Sequence, residues 1–124
     1  DPEPVMVVGD PQRLRQVVTI LVDNAVRHSP QGGAVSVRVR REDATAHLVV
    51  EDDGPGIRAA DLPHVFDRFW RAPGSPGGGT GLGLAIAATI VTRLGGRIGA
   101  GARSAGGAVF TVELPVSGST TRQV

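Results

Sequence analysis

The chain has 124 residues, 40% of them hydrophobic and 20% charged, which fits one globular domain with a buried core rather than a disordered tail. Cysteine is absent, which excludes a disulfide framework and cysteine-based metal sites. The formal net charge is +1 with scattered basic residues, and no apolar run approaches the roughly 20 residues of a membrane span, so we expect no nucleic-acid partner and no membrane insertion of this segment.

The first half of the chain alternates between strand and helix patterns. Residues 5–8 predict a short strand, and Asp10 followed by proline predicts a helix start, because Asp is a good N-cap and Pro suits the first helical position. Apolar residues then recur at helical spacing to about Ser29. Residues 34–41 alternate apolar and polar side chains, which predicts a half-buried strand, and residues 47–51 predict a second strand that completes a hairpin.

The second half begins with a long connection. Residues 58–80 are predicted to form a lid, because a connection of this length in a small domain is more often functional than a simple tether. A helix is predicted from Gly81 or Leu82 to Leu94, with Gly95 as its C-terminal stop. Strands are expected at about 97–102 and 108–114.

The element order indicates the fold class. The succession β-α-β-β-lid-α-β-β predicts an α+β two-layer sandwich, in which helices cover one face of a mixed, mainly antiparallel sheet. We expect a single domain over residues 1–116 and a disordered tail over 117–124.

A glycine-rich segment precedes the second long helix. Residues 77–84 read Gly-Gly-Gly-Thr-Gly-Leu-Gly-Leu. Such a segment lets backbone N–H groups approach phosphates, and a helix N-terminus adds a partial positive charge. It is not a Walker loop, because Gly-Lys-Ser/Thr is absent, and no strand directly precedes it as a Rossmann fingerprint requires. By itself it is equally consistent with a flexible joint.

A pair of carboxylates ends the second predicted strand. Residues 52–57 read Asp-Asp-Gly-Pro-Gly-Ile. A carboxylate fixed there can accept a hydrogen bond from an amine such as the exocyclic amine of adenine, and the two glycines let the loop pack against a flat ring. An ordinary turn after a strand is the alternative interpretation.

One polar residue interrupts the apolar face of the first helix. Asn24 shares a helical face with Ile20, Arg27 and His28. An amide oxygen is a suitable hard ligand for Mg²⁺, and Arg27 beside it can meet a phosphate. The alternative is an Asn whose amide bonds to a backbone carbonyl at the edge of the sheet.

Four segments together resemble the motifs of sensor histidine kinases. Residues 21–30 resemble the N box, 52–57 the first glycine box, 66–71 the F box and 79–84 the second glycine box. They occur in the family's order and at its spacing, and the resemblance covers residues 10–114. It implies the Bergerat-type ATP-binding fold of the superfamily that also holds gyrase, a heat-shock chaperone and a mismatch-repair ATPase.

The resemblance also implies a set of site residues and the cofactors ATP and Mg²⁺. Asn24 is expected to ligate Mg²⁺, and Arg27 to face the phosphates. Asp52 is expected to read the adenine amine. Arg71 is expected to approach the terminal phosphate when the lid is shut. The remaining nucleotide-binding positions that the resemblance implies are His28, Gly54, Gly56, Ile57, Gly79, Thr80, Gly81, Leu82 and Gly83.

Two phenylalanines and one isoleucine complete the comparison with the family. Phe66 and Phe69 are expected to anchor the lid and a partner surface rather than to touch ATP. Ile20 stands where many relatives carry a second polar residue and where the hydrolysing branches usually carry a Glu that activates water. We therefore expect very slow ATP hydrolysis by this domain.

The phosphate-accepting histidine is expected to lie outside this chain. The three histidines present are His28, His47 and His64. None is followed by the acidic residue and Arg-x-Pro-like pattern that marks the family's phospho-accepting helix. The resemblance therefore implies an acceptor in a dimerisation domain upstream of Asp1.

The sequence thus predicts the ATP-binding catalytic domain of a bacterial protein-histidine kinase. It would bind Mg-ATP and donate the γ-phosphate to a histidine on its own dimerisation domain. The resemblance further implies a homodimeric two-component sensor, a response regulator as partner and a cytoplasmic position beside the inner membrane. Two alternatives remain open: a degenerate nucleotide-binding regulatory module, which Ile20 favours, and a hydrolytic ATPase, whose water-activating carboxylate is missing here.

Overall fold

The computed structural model describes residues 10–30, 32–70, 81–103 and 106–116. In chain order its elements are helix α1 (Pro11–His28), strands β1 (Val35–Glu42) and β2 (Thr45–Asp52), a 3₁₀ turn (Leu62–His64), helix α2 (Gly83–Arg93), and strands β3 (Arg97–Ala102) and β4 (Ala108–Pro115). From α1 onward this order matches the predicted one. The predicted strand at 5–8, the lid residues 71–80 and the tail 117–124 lie outside the described residues.

The described strands form one sheet in the order β1-β2-β4-β3, and every neighbouring pair is antiparallel. At its centre Val50 of β2 lies opposite Val37 of β1 and Phe110 of β4. The buried positions of β4 alternate along the strand, namely Ala108, Phe110, Val112 and Leu114. They share one core with the inner faces of both helices, so the predicted α+β two-layer sandwich is confirmed.

Helix α1 begins and ends where its capping residues predict. The Asp10 carboxylate accepts a hydrogen bond from the Gln12 backbone N–H at 2.9 Å, and Pro11 occupies the first turn. At the other end the Ser29 N–H donates to the Ala25 carbonyl at 2.9 Å. The helix is therefore closed at both ends by local contacts.

Helix α2 is shorter and more apolar. It buries Ala87, Ile90 and Val91 and packs against α1 and β3. Gly95 follows it with a φ of +84°, which confirms the predicted glycine stop. Neither described helix has the length and apolar character needed to cross a bilayer.

Strand β1 differs from the prediction of a half-buried strand. Val37 and Val39 are 47% and 43% exposed, although their alternation predicts an inward face. Only Val35 packs against the core from this strand. The reason is position: β1 is the outer strand of the described sheet, and α1 packs mainly over β2.

The first part of the predicted lid is attached to the core. Val65 is 2% exposed, and the Phe66 ring meets the Phe110 ring edge-on, with centroids 6.1 Å apart. Phe66 thereby attaches this segment to β4, although residues 67–69 are exposed. Phe66 packs against the core, as its predicted anchoring role requires.

Candidate nucleotide site

Asp52 ends strand β2 as a buried carboxylate, 2% exposed. Its Oδ1 accepts hydrogen bonds from the backbone N–H groups of Gly54 at 2.8 Å and Ala108 at 3.3 Å. No donor in the described part of the chain contacts the other oxygen, Oδ2. A buried carboxylate with one oxygen still unpaired is suited to accept a hydrogen bond from a ligand amine.

Glycines allow three backbone segments to meet around Asp52. A side chain on Gly54 would collide with the carbonyl oxygen of His28 at the end of α1. A side chain on Gly107, whose φ is +94°, would collide with the Asp52 carbonyl, and one on Gly56 would lie 3.1 Å from the Gly107 carbonyl oxygen. Close backbone approach therefore requires glycine at these positions.

Asn24 lies on the buried side of α1 and is 9% exposed. Its side-chain amide makes no hydrogen bond with any described residue, whereas its backbone carbonyl contacts Nδ1 of His28 at 3.0 Å. A carbonyl can only accept, so the His28 ring donates through Nδ1–H. The alternative of an Asn amide bonded to a backbone carbonyl is not found among the described residues.

Helix α1 contacts both glycine segments, and Asn24 lies between the two contacts. A side chain on Gly83, the first residue of α2, would sit 3.5 Å from the Ile20 side chain. One turn beyond Asn24, the His28 carbonyl meets Gly54. Each contact is about 6 Å along the helix from Asn24. The structure thus brings together the Asn24 amide, the Asp52 loop and the start of α2.

The start of α2 is paired closely with the end of the F-box segment. No side chain among the described residues caps this helix terminus. Phe69 donates its backbone N–H to the Gly81 carbonyl at 2.7 Å, and a side chain on Gly81 would lie 2.6 Å from the Phe69 Cα. Both residues have positive φ, +67° for Phe69 and +78° for Gly81. The described residues on either side of positions 71–80 therefore meet.

The other predicted site residues are placed less centrally. Arg27 is exposed on α1 and forms no ion pair with a described residue. Ile57 and Leu82 are half-buried, and Ile57 packs against the core. Arg71, Gly79 and Thr80 lie outside the described residues.

A second carboxylate, Asp53, links three elements beside the site. Its Oδ2 accepts from the Ala34 N–H at 2.9 Å, and its Oδ1 accepts from Nη1 of Arg103 at 2.8 Å. The same Nη1 donates to the Asp52 carbonyl at 2.7 Å. The hydrogen bond from Ala34, followed by that from Arg103, lowers the pKa of Asp53 below its ordinary value.

Comparison with known proteins decides the family. Residues 9–118 match the family described as histidine kinase-, DNA gyrase B- and HSP90-like ATPases. The chain belongs to this family. The sensor protein SphS of Synechococcus elongatus is 45% identical over 97% of this chain and 32% of its own length.

Solved structures of histidine kinases have the same fold. The mycobacterial sensor histidine kinase MprB superposes with a TM-score of 0.83 at 37% identity, over 89% of this chain and 76% of that chain. Full-length ShkA in complex with AMPPNP superposes with a TM-score of 0.77 at 30% identity, over 91% of this chain and 23% of that chain. The chain matches the ATP-binding catalytic domain of sensor histidine kinases, as the four motifs predict, and spans about a third of the length of SphS.

Within this histidine-kinase-type domain, sequence reasoning missed Arg103. The residue is separated from Asp53 by 50 positions, and nothing in its local sequence distinguishes it from the other arginines. Only the pairing of β4 with both β2 and β3 brings the turn before β4 beside the end of β2.

A separate groove of about 550 Å³ lies beside α2, and its lining includes neither Asn24 nor Asp52. Its floor is largely apolar, and three arginines line it. Its lining includes Arg13, Arg68, Ile86, Ile90 and Arg93.

Proposed function

We propose that this domain binds Mg-ATP and donates the γ-phosphate to a histidine on a separate dimerisation domain of a two-component sensor kinase. The observation that carries the proposal is the arrangement of Asp52, whose Oδ1 is held by two backbone N–H groups while Oδ2 has no donor among the described residues. Membership of the ATPase family supports ATP as the ligand.

At the base end, Asp52 recognises the exocyclic amine of adenine. An ionised carboxylate can only accept hydrogen bonds, so Oδ2 favours an amine over the carbonyl oxygen that guanine carries at the same ring position. Gly54 and Gly56 keep side chains away from the loop that faces the ring. This arrangement favours ATP over GTP.

At the phosphate end, Asn24 fits a magnesium site. Its unpaired amide supplies one oxygen, and Mg²⁺ commonly takes few protein ligands and completes its shell with water and phosphate oxygens. Ile20, one turn earlier, supplies none. When bound, the ion neutralises phosphate charge during in-line transfer. Asn24 would therefore orient the metal–nucleotide complex against α1.

The backbone at the start of α2 supports binding of the phosphate chain. The first N–H groups of a helix have no partner within the helix, and its N-terminus is partly positive. Gly81 and Gly83 allow close approach of that backbone. Arg27 adds an exposed cation on the adjacent helix, and we assign Arg71 to the terminal phosphate, with Gly79 and Thr80 beside it.

We assign the acceptor histidine to another domain because none of the three histidines of this chain is followed by the family's acceptor pattern, and each has a contact within the domain. His28 donates to the Asn24 carbonyl. His47 lies 3.4 Å from Glu42 and 3.8 Å from Glu113 on the sheet. His64, the last residue of the 3₁₀ turn, contacts Asp67 at 3.1 Å.

The groove beside α2 supports a contact surface for the dimerisation domain. Its arginines fit a helix with an acidic face, and its apolar floor includes Ile86, which is 41% exposed. Phe69 is 65% exposed, and the Arg68 guanidinium stacks on it at 5.6 Å from the ring centroid.

Most of the length of SphS lies beyond the matched region, which leaves room for such a domain and for a sensor segment. A response regulator, a homodimeric parent and a position beside the inner membrane follow from the same proposal.

Hydrolysis is disfavoured because no carboxylate occupies the Ile20 position. The Ile20 side chain instead packs toward Gly83 and the core. A regulatory module without efficient phosphotransfer is the second candidate function, since the same isoleucine removes a possible polar contact near the metal.

The deciding experiment mixes this domain with the dimerisation domain of a related sensor kinase, Mg²⁺ and γ-labelled ATP. We expect label on histidine and little inorganic phosphate. Asn24→Ala should weaken Mg-ATP binding by roughly 10-fold or more, as expected for loss of one strong polar contact. Asp23→Ala, an exposed change on the same helix, is the matched control and should behave as the native chain.

Each other outcome has a definite meaning. Binding without transfer supports the regulatory module. Accumulation of inorganic phosphate supports the hydrolytic ATPase. Absence of any binding heat with millimolar Mg-ATP contradicts the proposal itself.

A further inference from the structure

Asp52 lies just beyond the last pair of the β2–β4 ladder. That ladder ends with Glu51 opposite Val109, whereas Asp52 itself pairs only with Val35 of β1. The backbone of Asp52 is therefore not held to β4 by strand pairing. Its attachment on that side comes from its own carboxylate, which accepts from the Ala108 N–H, and from whatever binds its carbonyl.

Arg103 binds that carbonyl. Its Nη1 donates to the Asp52 carbonyl at 2.7 Å and to Asp53 Oδ1 at 2.8 Å, so one guanidinium nitrogen holds two consecutive residues at the end of β2. The backbone of Arg103 is fixed in turn, because its N–H donates to the Gly107 carbonyl at 3.0 Å. Gly107 lies directly against the Asp52 carbonyl.

The Asp53 carboxylate is also bound on the side away from Arg103. Asp53 accepts from Arg103 with one oxygen and from the Ala34 N–H, just before β1, with the other. The turn before β4, the end of β2 and the approach to β1 are thus joined through Asp53 and Arg103. The contact most sensitive to their relative position is the 3.3 Å bond from Ala108 to Asp52, because it is already long.

We infer that Arg103 is a positioning residue for base recognition, which holds the Asp52 carboxylate in the orientation that presents Oδ2 to the nucleotide amine. The inference rests on the proposed function of the site. Without Arg103 the end of β2 can shift relative to β4, and the carboxylate can rotate away from Ala108. Oδ2 is then no longer held in a single orientation, and its hydrogen bond to the nucleotide amine weakens.

A purely structural role of Arg103 predicts that its loss weakens both nucleotides equally. Solvent screens partly exposed ion pairs, and the Arg103 and Asp53 side chains are 25% and 44% exposed. Loss of this pair should therefore change stability little. A loss of orientation at Asp52, in contrast, should weaken only ligands that carry the amine.

The test compares ATP with purine riboside triphosphate, which has the same phosphates and ring system without the amine. We expect the native domain to prefer ATP, and Arg103→Met to lose most of that preference, about 10-fold, through weaker ATP binding. Binding of the analogue and the melting temperature should stay close to native values. Arg103→Lys should restore part of the preference, since its ammonium group can reach one of the two acceptors.

Arg97→Met is the matched control. Arg97 lies on β3, which pairs with β4, and donates to Glu113 at 2.8 Å. The Arg97 side chain is 85% exposed. This variant should keep the native preference. If Arg103→Met does not fold, Arg103→Gln, whose side chain is shorter and uncharged but keeps an N–H donor group, should show a smaller loss in the same direction.

The outcomes separate the inference from the proposed function. A native domain that binds neither nucleotide contradicts the function. A native domain that prefers ATP, with Arg103→Met or Arg103→Gln keeping the full preference or weakening both ligands equally, overturns the positioning role and leaves the function intact.

Discussion

Asp52 has two oxygens in different surroundings, and this difference gives the residue its chemistry. Oδ1 is fixed by the N–H groups of Gly54 and Ala108, whereas Oδ2 has no donor among the described residues. A buried carboxylate in this state costs folding free energy unless a ligand supplies the missing donor. The position therefore favours a ligand amine.

We expect Asp52→Asn to weaken the preference for ATP over GTP. The amide oxygen must replace Oδ1 to accept from Gly54 and Ala108, so the amide NH₂ replaces Oδ2 and meets the adenine amine as donor against donor. ATP affinity should fall by about 10- to 100-fold, and GTP should gain relative to ATP. Competition binding measures both constants.

Asp61→Asn provides the comparison for that variant. Asp61 is also a carboxylate in a loop, but it binds Arg58 at 2.9 Å in the turn before the F-box segment. Its substitution should leave the ratio of the ATP and GTP constants unchanged. An Asp52→Asn domain with the native ratio would show that the carboxylate does not read the base.

Residues within one short motif were predictable, whereas partners distant in sequence were not. Asn24, Asp52 and Gly54 each lie in a local pattern whose chemistry is visible in the sequence. Arg103 depends on strand pairing across 50 positions, which no local pattern records. The side-chain state of Asn24, unpaired or bonded to a carbonyl, also required the packed structure.

At the scale of elements, boundaries set by local chemistry were predicted well. The Asp10 cap and the Gly95 stop mark the start of α1 and the end of α2 because each acts on its own neighbours. The burial of β1 was predicted wrongly, because alternation shows which side chains share a face but not how far a helix reaches across it. Val37 and Val39 share the inner face and yet stay exposed.

The Asp53 link between elements should make stability depend on acid. The pKa of Asp53 is lowered, first by the Ala34 hydrogen bond and then by Arg103, so the folded state favours the ionised form. Its stabilising contribution is complete above the ordinary aspartate pKa and is lost as pH falls through the lowered pKa. We expect the native unfolding free energy to fall more steeply in that range than that of Asp53→Asn.

Urea unfolding from about pH 6 to about pH 2.5 measures this slope. Arg103→Met should keep part of the acid dependence, because the hydrogen bond from Ala34 is the larger cause and remains. Equal slopes for the native chain and Asp53→Asn would mean that the link contributes nothing to stability.

At the scale of the whole molecule, the site joins two halves of the chain. α1 and β2 supply Asn24 and Asp52, while α2 and β4 supply the helix start and the Ala108 N–H. The halves already touch where Ile20 meets Gly83. A nucleotide that spans Asp52, Asn24 and the start of α2 would add contacts across this boundary that the unfolded chain cannot make.

Mg-ATP should therefore stabilise the domain as one cooperative unit. At a free concentration 100 times its dissociation constant, a ligand that binds only the folded state raises the unfolding free energy by about 2.7 kcal/mol. For a domain of this size the midpoint should rise by on the order of 10 °C. Trp70, the single tryptophan, is half-buried, and its fluorescence can report the transition.

The controls separate binding at the site from a general effect of ions or nucleotide. Mg²⁺ alone should leave the midpoint unchanged, because Asn24 offers one oxygen and Ile20 offers none. ATP with a chelator should raise the midpoint less than Mg-ATP does. Asp52→Asn should lose most of the rise with ATP at the same concentration. A native midpoint that does not move with saturating Mg-ATP would mean that the two halves of the chain do not share a nucleotide.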